Sequence, residues 1–491
     1  MLRDRSQTEY EPVTRPGRPR VLKIEEAGSE AWLNSTDSSS RGDNGGSAEE
    51  APPAVNKQES GTFLRRGHTF TFAALFLFTV IVYARPAEFY PSPLTHSLAF
   101  IVGVITLVIY LPSQITIDGT LTARPREVNL VLLFCLTGLL SIPLAINPSE
   151  AWLTFSDTFI RCIVIFAVMV NVVRTELRLK ALLFLALFAS LWLSVGAIND
   201  YRWGLMTVEG YRAGGRGSGI FGNSNDMALH LVTMVPIAVA LLFGSRGIFG
   251  KFIYGACAAL MIAAIVLTYS RGAFIGLLTI FVFIAWKIGR SHRLGIITLV
   301  IVLALGILLL APGNYGLRIL SIFIPSLDPV GSSDARQGEL IRSLYIALRH
   351  PLLGIGMGNY ASEMSFRGLV THNSYTQVAA EMGMAALVLY IMFIVTPLRR
   401  LGQVVRETFE DRRQSRYYYL SIGLQASLIG YMVTSFFAAV AYLWYVFYLV
   451  AYAVCLRRLY ESETGKVVVL EKRKAKDREQ SARRAAHLAE G

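Results

Sequence analysis

Residues 251–288 read KFIYGACAALMIAAIVLTYSRGAFIGLLTIFVFIAWKI, two apolar runs that are separated by only a few residues. A helix needs about 20 apolar residues to cross a bilayer, and each run approaches that length. The break between them is Thr268–Ala273. It is so short that Arg271 must lie at or just below a membrane surface.

The composition of the whole chain supports a membrane protein. The 491 residues are 53% hydrophobic and 16% charged, and the mean hydropathy is +0.46, which is too apolar for a soluble protein of this length. The formal net charge is +13. Its Lys and Arg residues fall in short clusters between apolar runs, a pattern that indicates orientation in a bilayer rather than nucleic-acid binding.

The apolar runs predict an all-α polytopic membrane protein of about 12 transmembrane helices. Runs of spanning length start near residues 68, 94, 128, 157, 179, 226, 251, 272, 294, 374, 418 and 440. The last two belong to one continuous run, Tyr417–Leu456, which must fold back near Ala438–Tyr442. Because that division is the least certain, eleven or thirteen helices stay open.

Charge predicts the orientation of the chain in its membrane, with both termini cytoplasmic. Every second connection is basic, and these connections hold Arg65, Arg66, Arg124, Arg126, Arg174, Arg178, Lys180, Arg246, Lys251, Lys287, Arg290, Arg293, Arg399 and Arg400. The opposite, outer side holds Arg202, Arg212, Arg216, Arg271, Arg318, Arg336, Arg342, Arg349 and Arg367. Since the positive-inside bias works against these outer arginines, we expect some of them to be functional.

The chain divides by composition into three parts. Residues 1–64 are polar and rich in Ser, Gly, Glu and Arg, which predicts a disordered cytoplasmic tail. Residues 65–456 form the membrane domain, and residues 457–491 form a basic cytoplasmic tail. A long connection over about 312–371 predicts a periplasmic loop with short amphipathic helices, and long ordered connections often carry function.

A glycine-rich loop, Tyr211–Asp226, opens directly onto an apolar helix and contains Arg216. Glycines let backbone amides approach an oxyanion, and both the helix N-terminus and an arginine favour phosphate. The alternative is a flexible loop with an Asn or Asp helix cap. Local sequence does not separate these interpretations.

Arg271 also has two interpretations. An ionisable residue at the membrane boundary predicts a functional site, and the small neighbours Ser270 and Gly272 leave room for a ligand. Alternatively, the arginine side chain reaches up to the interface and anchors the helix end.

The long connection contains one amphipathic helix and one turn. In Ala335–Arg349 the apolar side chains share a face, which predicts a helix lying on a surface; they are Leu340, Ile341, Leu344, Tyr345 and Leu348. The glycine-rich Leu353–Asn359 superficially suggests a dinucleotide loop, but no strand precedes it. We expect a tight bend there.

His372 comes directly before the run that starts near residue 374, at the outer mouth of the predicted tenth helix. A histidine that is neutral near pH 7 can accept a proton from a hydroxyl, so His372 is a candidate general base. The alternative is a structural histidine. Glu381 lies nine residues further on, out of phase with His372 on a helix, and we expect it to pack elsewhere.

These motifs together resemble the O-antigen ligase and O-antigen polymerase superfamily of bacterial envelope glycosyltransferases. The resemblance is clearest over about residues 216–396. It rests on Ser270–Phe274, on the Arg336 helix that leads into Pro351–Gly356, and on His372–Tyr375 with Glu381–Gly383.

The resemblance implies a glycosyltransferase that moves a glycan from an undecaprenyl pyrophosphate carrier to a sugar hydroxyl at the periplasmic face. The acceptor would be a glycan or a lipid core, and no cofactor and no metal are implied. By resemblance, Arg216 and Arg271 would hold the pyrophosphate and His372 would activate the acceptor hydroxyl. Arg336 would assist in donor or acceptor binding. Ligase and polymerase are not distinguished.

A twelve-helix transporter of solutes or lipid-linked sugars is the alternative from another functional class, because glycine-rich breaks also occur in the unwound helices of carriers. The two halves of the chain show no internal repeat, however, and mid-span charges are few. One dominant outer loop also favours the glycosyltransferase.

Overall fold

The computed structural model describes residues 67–206, 211–214, 221–289, 294–295, 298, 300–302, 305–306, 315–320, 332–365, 368–412 and 415–465. The expected tail of residues 1–64 lies outside the described residues. Of the expected C-terminal tail, 457–491, the residues from 466 lie outside them as well, whereas residues 457–464 belong to the last helix, Trp444–Thr464. The described residues form helices and turns without a strand, which confirms the all-α class.

Sixteen α-helices have defined bounds in the described part of the chain. They are α1 Thr69–Ala84, α2 Pro86–Phe89, α3 Pro93–Asp118, α4 Arg126–Ser141, α5 Pro148–Leu153, α6 Ile160–Val172, α7 Glu176–Arg202, α8 Ser224–Gly244, α9 Ile248–Leu267, α10 Arg271–Ile288, α11 Tyr315–Leu320, α12 Ser332–Arg349, α13 Ser374–Met382, α14 Met384–Glu407, α15 Arg416–Thr434 and α16 Trp444–Thr464. A π-helical turn, Thr154–Phe159, joins α5 to α6, and a 3₁₀ turn, Ser435–Phe437, follows α15.

Nine helical segments among the described residues are long and apolar enough to cross a bilayer, so the chain is a polytopic membrane protein as predicted. The helix α4 has 16 residues, and α16 carries four charged residues in its last two turns; neither belongs to the nine. The span expected from residue 294 lies mostly outside the described residues. The count of twelve therefore stays a prediction.

Polar contacts identify two ends of the bundle. At the first, called the basic end, Arg178 Nη1 donates to the carbonyl of Gly67 at 2.8 Å and Arg457 Nη2 donates to Glu127 Oε2 at 3.2 Å. At the second, called the loop end, Ser374 Oγ donates to the carbonyl of Ala438 at 2.7 Å. The long helices run between these two ends.

The centre of the bundle is formed by α8 and α15, which are the most buried of the spanning helices. Glycines allow close packing: a Cβ atom at Gly423 would lie 2.5 Å from Ala240 Cβ, and one at Gly430 would lie 2.5 Å from Ile280 Cδ1. Small residues are the usual means by which membrane helices approach one another. This packing fixes α8, α10 and α15 relative to one another.

The run that starts near residue 374 is not one helix, which corrects the predicted tenth span. The short helix α13 ends at Met382, and Gly383 (φ 89°) separates it from the spanning helix α14. A Cβ atom at Gly383 would lie 2.3 Å from the carbonyl oxygen of Leu352, so only glycine fits. The break arises from a tertiary contact that hydrophobic periodicity does not report.

Two predicted changes of direction are confirmed. The tight bend expected over Leu353–Asn359 contains three glycines with positive φ, namely Gly354, Gly356 and Gly358. The fold-back expected near Ala438–Tyr442 lies between the 3₁₀ turn and α16. Both segments lie at the loop end, where they support α13.

Candidate active site

Arg271 is the first residue of α10, in the short connection from α9. It is buried, with 9% of its surface exposed. Ser270 Oγ caps the helix by accepting from the backbone N–H of Ala273 at 3.4 Å, and Tyr269 has a positive φ of 52°. A guanidinium beside a helix N-terminus favours an anion, so this turn has the chemistry of a phosphate site.

Arg212 ties the glycine-rich loop to this turn. Its Nε donates to the carbonyl of Thr268 at 2.9 Å, and its Nη2 donates to Asn225 Oδ1 at 2.9 Å. The backbone N–H of Ala213 also donates to the carbonyl of Leu267 at 2.9 Å. Arg212 is only 3% exposed. It therefore fixes the loop, the start of α8 and the turn before Arg271 relative to one another.

Arg216, predicted to hold pyrophosphate, lies outside the described residues, as does outer Arg367. The part of the loop that is described contains the cap expected from sequence: Asn223 Oδ1 accepts from the backbone N–H of Asn225 at 2.8 Å at the start of α8. The phosphate-binding role of this loop stays a prediction.

His372 lies directly before α13 in a left-handed backbone conformation, with φ 52°. Such strain in a residue other than glycine is concentrated at functional sites. The next residue, Asn373, caps α13 through its Oδ1, which accepts from the backbone N–H groups of Tyr375 and Thr376 at 2.9 and 3.0 Å. The helix cap at Asn373 and the strained backbone of His372 together fix the position from which the imidazole extends.

The surroundings of His372 keep it neutral. Burial and, to a smaller extent, the positive charge of Arg336 lower its pKa from 6.5 to about 4, against an opposing effect of Glu339. The charge of Arg336 therefore acts on His372 in the structure. A neutral imidazole at pH 7 is the form that a general base requires.

Arg336 and Glu339 both belong to α12, which packs against α13. Glu339 is 7% exposed and accepts at Oε2 from the Tyr360 hydroxyl at 2.6 Å; Arg342 Nη1 lies 3.7 Å from Oε1. The predicted amphipathic helix is confirmed. Its outer apolar face is exposed, with Ile341 68% and Leu348 76% accessible, as a helix lying on a surface requires.

One segment connects the surroundings of Arg271 and His372. On one side, a Cβ atom at Gly272 would lie 2.7 Å from Phe437 Cβ. On the other, Ser374 Oγ donates to the carbonyl of Ala438 at 2.7 Å and accepts from the N–H of Val440 at 3.0 Å. The starts of α10 and α13 thus adjoin the same 3₁₀ turn and its continuation, although Arg271 and His372 are 101 positions apart in the chain.

Glu381 packs away from His372, as expected. It is 3% exposed, and its Oε1 accepts from the backbone N–H of Tyr360 at 3.3 Å. Burial raises its pKa to about 7, although Tyr442 and nearby backbone N–H groups oppose that shift. Its side chain joins α13 to the glycine-rich bend and so supports the position of His372.

An apolar cavity of about 510 Å³ opens between α1 and α7 at the loop end. Its walls include Phe188, Trp192 and Gly196 of α7, and Gly214 and Phe221 of the glycine-rich loop lie at its margin. Gly214 is two residues from Arg212, which bonds to the turn before Arg271. The cavity therefore adjoins the segment that Arg212 holds.

Sequence reasoning grouped Arg212 with the other outer arginines and gave it no role. It also missed the Glu339–Tyr360 contact. Nothing in the spacing of these residues signals either contact. Among the described residues, no group of three His, Cys, Asp or Glu side chains is arranged to hold a metal ion.

Residues 256–391 match the family model described as O-antigen ligase. The matched range contains Arg271, Arg336 and His372, and it ends inside α14. The resemblance to the O-antigen ligase and polymerase superfamily is thus confirmed over this range, and the match supports an O-antigen ligase or polymerase type of glycosyltransferase activity. A comparison of the chain with curated proteins finds no match.

Proposed function

Since the chain carries an O-antigen ligase domain, we propose that it transfers a glycan from an undecaprenyl pyrophosphate carrier to a sugar hydroxyl at the periplasmic face of the bacterial inner membrane. One observation carries the proposal: at the loop end, a neutral histidine and two arginines are grouped around one short segment. Gly272, next to Arg271, contacts Phe437 of this segment, and Ser374, two residues after His372, bonds to Ala438, while the charge of Arg336 acts on His372.

The proposed reaction uses these groups in one displacement. The neutral imidazole of His372 accepts the proton of the acceptor hydroxyl as its oxygen bonds to the anomeric carbon of the donor. The bond from that carbon to the pyrophosphate oxygen breaks, and the electron pair leaves with the pyrophosphate. Arg271 and the α10 N-terminus stabilise the charge that develops there. Arg216 is proposed to bind the same pyrophosphate.

The apolar cavity between α1 and α7 supports a lipid-linked donor. Its apolar wall suits a hydrocarbon chain, and its margin reaches Gly214. Through Arg212 and Ala213 this margin is hydrogen-bonded to the turn that contains Arg271. A pyrophosphate at Arg271 would thus belong to a carrier whose chain enters the cavity.

The acceptor is proposed to bind beside α12 and α13. Asn373 uses Oδ1 for the helix cap, while its Nδ2 is buried and has no acceptor in the described part of the chain. A sugar oxygen could accept from it next to His372 only after a movement that exposes this amide, because Asn373 is 2% exposed. Arg336 is proposed to contact the donor or the acceptor from α12.

A transfer assay with the purified full-length protein tests the proposal. The protein is incubated with an undecaprenyl-pyrophosphate-linked oligosaccharide and either a lipid core or a second carrier-linked repeat. We expect His372→Ala to abolish transfer, and His350→Ala, an exposed histidine at the end of α12, to retain it. Equal activity of both variants would remove His372 from the reaction.

The deletion strain separates ligase from polymerase. Accumulation of single lipid-linked repeats indicates a polymerase, and accumulation of full-length carrier-linked chains indicates a ligase. Normal surface glycans with no accumulated intermediate would contradict the glycosyltransferase proposal altogether.

A further inference from the structure

A second cavity, of about 440 Å³, lies at the basic end of the bundle. It is bounded by the first turns of α7, the last turn of α8, the side of α9 and the start of α15. We propose that this cavity binds one anionic phospholipid, with the phosphate at the membrane surface and the first part of an acyl chain along the inner wall. The candidate active site lies at the opposite end, so this inference does not depend on the proposed reaction.

The mouth of the cavity carries an excess of positive charge. Three cations line it, Lys180, Arg246 and Arg416, against one carboxylate, Glu176. Glu176 is shared: Lys180 Nζ lies 2.7 Å from its Oε1, and Arg416 pairs with its Oε2.

A second carboxylate outside the wall, Glu463, accepts from Arg416 Nη2 at 3.0 Å. The cations still exceed the carboxylates by one, three against two. Arg246 has no carboxylate partner in the described part of the chain. An anion beside Arg246 would therefore complete the charge balance of this group.

Aromatic side chains form part of the wall of the cavity. Two stacked ring pairs join neighbouring helices: Phe184 of α7 with Tyr254 of α9, at 6.5 Å between centroids, and Phe243 of α8 with Tyr419 of α15, at 6.1 Å. Tyrosines such as Tyr254 and Tyr419 are typical of the membrane interface. Such aromatic side chains make no favourable contact with a free inorganic anion, but they can pack against an acyl chain.

The order of these groups along α7 matches the order of groups in a phospholipid. Glu176, Lys180 and Phe184 are spaced four residues apart and so share one face of the helix. A rise of 1.5 Å per residue places Phe184 roughly 12 Å deeper than Glu176. Phosphate beside the cations and hydrocarbon beside Phe184 is the arrangement that an anionic phospholipid presents at a membrane surface.

Binding is tested on the full-length protein in detergent by native mass spectrometry, without donor or acceptor. The probes are dioctanoyl phosphatidylglycerol, dioctanoyl phosphatidylcholine and inorganic phosphate. We expect phosphatidylglycerol alone to be retained. Equal retention of phosphatidylcholine would overturn the proposal, and retention of inorganic phosphate as tightly as phosphatidylglycerol would assign the cavity to free phosphate instead.

Matched cation variants locate the bound lipid. Arg246→Ala should weaken phosphatidylglycerol binding about fivefold, the effect expected for one basic residue at a headgroup. Lys251→Ala removes an exposed cation at the same end that does not line the cavity, and should leave binding unchanged. Phe184→Ala should weaken phosphatidylglycerol binding as well. If Lys251→Ala lowers affinity as much as Arg246→Ala, the lipid binds by general surface charge and the site is refuted.

Discussion

Replacing Arg212 by alanine should separate the glycine-rich loop from the turn before Arg271. The side chain makes hydrogen bonds to Thr268 and Asn225, both at 2.9 Å, while only 3% exposed. A hydrogen bond from a charged group contributes about 1.5–3 kcal/mol, so the two together contribute about 3–6 kcal/mol. Because water and neighbouring groups relax into the space, we expect a loss near the lower end, about 3 kcal/mol.

The loss is measured by thermal unfolding in detergent, followed with a thiol-reactive dye. Cys257 and Cys455 are buried and unpaired, so they report the opening of the helix bundle. Transfer activity is measured in parallel at a temperature where the variant stays folded. Because Arg212 positions the start of α8 and the turn before Arg271, kcat should fall more than tenfold even there.

Two further variants separate positioning from charge. Arg212→Lys keeps the charge but lacks the planar fork that reaches both acceptors, so it should restore only part of the stability. A double-mutant cycle with Asn225→Ala isolates the Nη2–Oδ1 bond and should give a coupling energy of about 1 kcal/mol or more. Transfer by Arg212→Ala within twofold of the unmodified protein, or a coupling energy of zero, would refute this reasoning.

Three further predictions concern the site directly. Arg271→Lys should keep the fold but lose most transfer activity, because an ammonium cannot replace a bidentate guanidinium on phosphate; near-normal turnover in vitro would remove Arg271 from the site. The kcat/KM of the unmodified protein should fall only as pH drops toward about 4, where His372 protonates. Arg336→Gln removes a cation that lowers the pKa of His372, so in this variant kcat/KM should begin to fall at a higher pH. An unchanged pH dependence would contradict this. Gly196→Phe places a ring in open space within the apolar cavity. It should lower kcat/KM for a donor with the full-length carrier but not for a donor with a short-chain analogue. An equal loss for both donors would show that the cavity does not hold the carrier chain.

The spanning helices were predictable because their signal is local. Runs expected from residues 226, 251 and 272 correspond to helices that begin at Ser224, Ile248 and Arg271. A bilayer requires a continuous apolar stretch for each crossing, and that requirement is visible in composition alone. The break at Gly383 was not predictable, because it depends on the carbonyl of Leu352 more than thirty residues earlier.

The candidate site was predictable only in part, for a similar reason. His372 was named from residue type and position and Arg336 through the family resemblance, and in the structure the charge of Arg336 lowers the pKa of His372. The contacts that hold the turn before Arg271 and the helix that carries Arg336 could not be read from the sequence, since Arg212 and Thr268 are 56 residues apart and Tyr360 and Glu339 are 21 residues apart. Charged and polar residues reveal that a loop is functional, but their pairing depends on how the helices bring the loops together.

The position of His372 therefore depends on the loops more than on a membrane span. The helix that it precedes, α13, has only nine residues, too few to be stable alone. Its first turn is held by the hydrogen bonds between Ser374 and the fold-back segment, and its last turn is held by Ile355 and Gly356, whose N–H groups donate to the carbonyls of Ala380 and Glu381 at 2.9 Å. Because the 3₁₀ turn directly before the fold-back segment packs against the start of α10 through Phe437, any shift of α13 along this contact changes the spacing between His372 and Arg271. Separating α13 from α14 at Gly383 lets these loop contacts, rather than the bilayer, set that spacing.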